Sequence, residues 1–167
     1  FNHLTGLAGG ETHRMTMKIG RYWYRSAFVE PVLVLVMLSI VSTGSTLFWR
    51  RLSGPLNLFQ ALQAASGSYL LFFVLGHMNS VFVYARHWLR IDTDWSFATG
   101  APAGLIGDPW NIRLVVHYGL GVFFLGVHLA GGARIVLKAH GFPDGTCDRI
   151  VVVGSILSAT LAGAILI

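Results

Sequence analysis

The run from Leu58 to Tyr84 contains no Asp, Glu, Lys or Arg. A helix of about 20 such residues crosses a hydrocarbon core of about 30 Å, so this run is long enough to span a membrane. Two others, Phe28 to Trp49 and Ile112 to Leu137, are also long enough, and a fourth, Ile150 to Ile167, is shorter and stops without a polar flank. The chain opens at Phe1 with "FNHLTGL", which reads as the tail of an earlier apolar segment. A fragment of a longer membrane protein is therefore expected. Glu30 and Pro31 inside the start of the first run argue against a signal peptide.

Composition agrees with this reading. Hydrophobic residues make up 54% and charged residues 11% of the chain, against about 45–50% and about 25% in soluble domains. So little charge leaves no outside for a soluble core of this size. The formal charge of +5 comes from Lys and Arg at the ends of the apolar runs, where they suit lipid headgroups rather than nucleic acid. The single Cys147 excludes a disulfide within the chain and any cysteine-based zinc or iron–sulfur cluster.

Backbone groups in lipid must be satisfied within their own segment, and the alternation of a barrel strand is absent. The expected fold is all-α, a transmembrane helical bundle with four to five spans, about 28–49, 58–84, 112–137 and 150–167, forming one domain over 1–167. Short Gly- and Pro-containing connections at Arg50 to Asn57 and Ala139 to Asp148 predict antiparallel neighbours. The longer connection from Ile91 to Trp110 carries Trp95 and Trp110, suited to the membrane surface. Cations flank both sides, which leaves the orientation open. Setting the segment from Arg25 under that from Arg113 pairs Arg25 with Arg113, Gly44 with Gly132 and Arg50 with Lys138, which suggests a duplicated helix pair.

Seven histidines punctuate this pattern. His13, His87 and His140 fall at or outside helix ends, where imidazole sits among headgroups and water and needs no function. His77, His117 and His128 lie within apolar spans, and His3, in "FNHLTGL", is expected to end an earlier one. An ionisable group at such depth is costly and usually faces the bundle interior with a partner. One reading is a hydrogen bond between helices. Another is axial ligation of haem iron by neutral imidazole in a bundle core. Proton relay is a weaker third, because Glu30 alone supplies a carboxylate. Gly76, Gly119, Gly121, Gly126, Gly131 and Gly132 offer gaps for a flat ring or for close packing of helices. His128 lies 11 residues after His117, on the same helical face but about 16 Å further along, hence in another layer. His77 has two candidate partners, His3 and His117.

The segment "LQAASGSYLLFFVLGHMNSVF" resembles the first membrane helix of the cytochrome b subunit of succinate dehydrogenases and fumarate reductases, and "HLAGGAR" is similar to an H-x-x-x-G-x-R pattern in that family's next helix. The resemblance covers roughly residues 57–141. It implies a bis-histidine haem b, with His77 and His128 as the positions that match ligands, positions that serve different haems in the family's two-haem members. His3 and His117 are further candidate ligands, and because the repeat sets Ile40 opposite His128 and Val29 opposite His117, leaving no partner for a second haem, one haem is expected rather than two. The resemblance also implies a quinone near one membrane face, with Ser66, Arg86, Arg90 and Arg134 as candidate contacts to haem propionates or quinone. The family commonly has an Arg just before its Ser/Thr-Gly pair, whereas this chain has Gln63-Ala64-Ala65-Ser66-Gly67.

The resemblance implies a subunit that transfers electrons between a quinone pool and a soluble flavoprotein or iron–sulfur partner, an anchor within an oxidoreductase complex rather than a catalyst by itself. A bacterial inner membrane or an equivalent energy-transducing membrane is the expected location. Two alternatives are a haem-containing sensor module attached to a cytoplasmic output domain, and an anchor without cofactor whose histidines join helices.

Overall fold

The computed structural model describes residues 5, 8–100 and 102–166, and among them the regular structure is entirely helical. In chain order the helices are α1 (Gly10–Tyr24), α2 (Val29–Leu52), α3 (Leu58–Met78, continued by a π-helix over Asn79–Leu89), α4 (Trp95–Thr99), α5 (Gly104–Gly107), α6 (Ile112–Ala139) and α7 (Asp144–Ile165). Four are long and apolar enough to cross a membrane: Val29–Leu52, Leu58–Leu89, Ile112–Ala139 and Asp144–Ile165. The chain is an integral membrane protein, and exposed apolar side chains such as Leu35, Ile40, Phe72, Leu129 and Ile156 are its lipid-contacting surface.

The ends of these helices are written locally. Asn57 and Gln60 form a reciprocal capping box at the start of α3, each side chain accepting from the other's backbone N–H at 3.0 and 3.1 Å. After α6, the N–H groups of Gly141 and Phe142 return to Lys138 O and Leu137 O, a Schellman turn whose φ of 82° at Gly141 suits glycine. Helix α7 begins at Asp144, six residues before the expected start of the fourth span. Its acidic first turns are drawn into the helix by ion pairs to α6, Lys138–Asp144 at 2.9 Å and Arg134–Asp148 at 2.7 Å.

The residues cluster in two compact units. The first holds residues up to Ser42 together with Val74–Val116. Here α1 is tied to the chain after α3: Arg21 donates to Thr93 O at 2.8 Å, and Arg25 donates to Asp92 at 2.8 Å and to Thr93 Oγ1 at 2.9 Å. Glu30, near the start of α2, accepts both terminal nitrogens of Arg86 in a bidentate pair. Asp94 caps α4, and Asn111 donates to Gly100 O and Gly104 O at 2.9 and 3.0 Å, closing the connection before α6. A Cβ at Gly100, where φ is 68°, would overlap the Asn111 side chain.

The second unit holds Thr43–Phe73 and residues from His117 onward. Helix α6 presents two stripes within it. Along one, His117, Gly121, Phe124, His128 and Gly131 meet Phe73, Tyr69, Gly67, Ser66 and Gln63 of α3. Along the other, Gly126 and Ala130 receive Ser158 and Gly154 of α7, and Gly119 receives Leu166 just beyond it. Small residues on both faces let the backbones approach closely, which in lipid substitutes for a hydrophobic driving force between helices.

Candidate functional site

The second unit brings His128 against three residues of α3. Ser66, which has no exposed surface, donates its hydroxyl to Gln63 O at 3.1 Å, a turn back on its own helix. The same Ser66 Oγ lies 3.1 Å from His128 Nδ1, and the imidazole's Nε2 faces the Gln63 side-chain nitrogen at 3.4 Å. Gln63 Oε1 is buried without a hydrogen-bond partner. Gly67 completes the cradle: a Cβ there would stand 3.1 Å from His128 Cε1.

A ligating imidazole commonly gives its other N–H to a fixed acceptor, which sets its tautomer and orientation, and Ser66 Oγ stands where such an acceptor for His128 Nδ1 would be. The Gln63 amide that faces Nε2 is packed against Gly131, where a Cβ would overlap Oε1.

His117 is half-buried and stacks on Phe73, with ring centroids 4.3 Å apart and planes at 19°. Tyr69 continues the row, 6.4 Å from Phe73 and 4.7 Å from Phe124. His117 and His128 therefore both lie on the α3-facing side of α6, as their spacing predicts.

His77 belongs to the first unit, near the end of the α-helical part of α3. The residue keeps exposed surface, and a Cβ on the neighbouring Gly76 would meet nothing within 4 Å. His3 lies outside the described residues.

The candidate arginines differ in their engagement. Arg86 is paired with Glu30 and lies over the Phe82 ring at 5.2 Å. Arg134 is paired with Asp148 and lies over Phe59 at 4.0 Å. Arg90 is exposed and ends the π-helix with φ of 54°.

Sequence reasoning missed His13. Expected among headgroups and water, it is only 1% exposed, the most buried histidine described, with Thr5 Oγ1 at 3.5 Å from Nδ1. Its position on an amphipathic α1, opposite Lys18 and Tyr22, was the available signal. His87 and His140 are exposed, as expected, and His140 Nδ1 lies 2.8 Å from Val136 O.

Among the described residues, no group of three or more His, Cys, Asp or Glu is placed to hold a bare metal ion. A haem held by two imidazoles requires no such group. No family model, no curated protein and no solved structure matches this chain.

Proposed function

We propose that this chain is a membrane-embedded b-type cytochrome subunit, resident in a bacterial inner membrane or an equivalent energy-transducing membrane, that passes electrons between a quinone pool and a soluble redox partner. The observation that carries the reading is His128, whose Nδ1 lies 3.1 Å from the hydroxyl of buried Ser66 within an apolar span. His77, beside the open face of Gly76 in the first unit, is a separate ligand candidate, and His117 and His3 are further imidazoles.

When bound, a haem b would supply a one-electron iron couple between imidazole ligands. The chain's own residues would do the rest. Ser66 would hold the His128 ring in one tautomer, and Gly67 would keep its edge unobstructed. The apolar stripe of α3 and α6 would exclude water. Gln63 would have to move aside from Nε2.

A specific observation favours the sensor alternative for the same haem. Arg86 and Arg134 are committed to Glu30 and Asp148, and Gln63 and Ser66 are turned onto His128, so the stretch where the resembled family reads quinone is occupied with orienting an imidazole. Chemically oxidising or reducing the chain joined to its natural flanking sequence, and measuring the flanking domain's activity, separates sensing from electron relay.

The first experiment is a dithionite-reduced minus oxidised spectrum of the purified protein. We expect b-type bands, with haem retention lost or strongly reduced in His128→Ala and His77→Ala. Absence of b-type bands in protein purified with intact helicity would leave the histidines as links between helices and end the cytochrome reading. Haem content unchanged in either variant would remove that residue from the ligand set.

A further inference from the structure

The first unit contains a cavity of about 240 Å³ that the imidazole site does not use. Asn79, Ser80, Val83, Tyr84 and Trp88 line it from the π-helical part of α3, and Trp110 and Arg113 line it from the start of α6. The π register makes this wall. In an α-helix, nine residues at about 100° each would turn Trp88 about 180° away from Asn79. With roughly 4.4 residues per turn, the same nine residues bring Trp88 back to within about 20° of Asn79's face. Three polar side chains and an indole thus share one side of a helix that would otherwise have split them.

The chemistry of the lining is selective. Arg113 is its only charged residue. Its guanidinium lies over the Trp110 ring at 4.2 Å and donates one N–H to Trp110 O, which holds the cation at the cavity, and an arginine carries five such donors. Asn79, Ser80 and Tyr84 add neutral groups able to donate to oxygen. Trp88 and Trp110, each 70% exposed, stand at the end of one span and the start of another, the depth at which tryptophan meets headgroups. A quaternary ammonium would seek the indole faces, but the Arg113 cation already covers that of Trp110. The volume is below the roughly 300–1,000 Å³ of a typical cofactor pocket.

We infer that this cavity binds the phosphate-bearing headgroup of an anionic membrane phospholipid, with Arg113 as its charge partner and Asn79, Ser80 and Tyr84 as hydrogen-bond donors. The inference is independent of the haem.

The test is native mass spectrometry of the full chain in detergent, with phosphatidylglycerol and phosphatidylcholine supplied in equal amounts. We expect preferential retention of one phosphatidylglycerol. Arg113→Gln should weaken that retention about tenfold or more, as for loss of a hydrogen-bonded charge, and Arg113→Lys should weaken it less. Arg50→Gln, outside the cavity, should leave it unchanged, and circular dichroism of each variant should report unaltered helix content. Trp88→Ala provides a second disruption should Arg113→Gln fail to fold. Equal retention of the two lipids, or retention indifferent to both disruptions, overturns the inference. Displacement of the lipid by equimolar inorganic phosphate would assign the site to a free anion, and displacement by a short-chain ubiquinone would assign it to a quinone; either result overturns it as well.

Discussion

Ser66→Ala removes a single oxygen and tests the His128 cradle directly. Ser66 is fully buried, and without its hydroxyl His128 Nδ1 loses that partner. In a soluble interior such an orphaned group costs about 1–3 kcal/mol. Hydrogen bonds between membrane helices measure less, about 0.6 kcal/mol on average and about 1.7 at most, because the unfolded chain in lipid also finds partners. The 3.1 Å geometry and complete burial place this bond in the upper part of that range. We expect a loss of about 1–1.5 kcal/mol, a factor of about 5–13 in the folded-to-unfolded ratio. The assay is unfolding in mixed dodecylmaltoside and dodecyl sulfate, followed by circular dichroism, on Ser66→Ala, His128→Phe and the double variant. The cycle should return a coupling of about 1 kcal/mol between the two sites. A coupling indistinguishable from zero would mean that Ser66 does not orient the ring.

Two further outcomes follow from the packing and the charges. Gly126→Val puts a Cβ onto Ser158, within 2.6 Å of its Cβ, and should cost about 1–3 kcal/mol in the same unfolding assay, whereas Gly132→Ala, which meets nothing within 4 Å, should be neutral or slightly stabilising. The hydrogen bond from Arg25, with the charges of Arg25 and Arg21, holds the Asp92 carboxyl below the ordinary carboxylate range. A pKa lowered in the folded state gives a contribution that is complete above the ordinary value of about 3.9 and fades as pH falls through the folded one. Protection of the α3–α4 connection in hydrogen exchange should therefore persist to about pH 4 and drop below it, and Asp92→Asn should remove that acid-side step.

The spans were legible because length and lack of charge suffice to specify a membrane helix. Helix α7 was not legible at its start, where Asp144 and Asp148 read as a connection; the facing Lys138 and Arg134 pair with those carboxylates within the helix. Ser66 and His128 stood out as residue types, yet their bond, and the turn of Gln63 onto the same ring, depend on how α6 packs on α3, which periodicity does not encode. Glu30 and Arg86 were each visible, and only tertiary structure makes them partners. The change from α to π register at Asn79 has no Gly or Pro to announce it; Val81, Phe82, Val83 and Tyr84 follow one another there, side chains crowded by the turn of an α-helix.

That wider register has a consequence for evolution. The 11 residues from Asn79 to Leu89 make about two and a half turns, which an α-helix completes with about nine. Membrane helices ordinarily reject insertions and deletions, since each rotates everything downstream onto the wrong face. Here the segment carries about two residues in surplus, so kindred chains are expected to differ in length inside this span, and a gap in their alignment at that point would record the number of wide turns each retains.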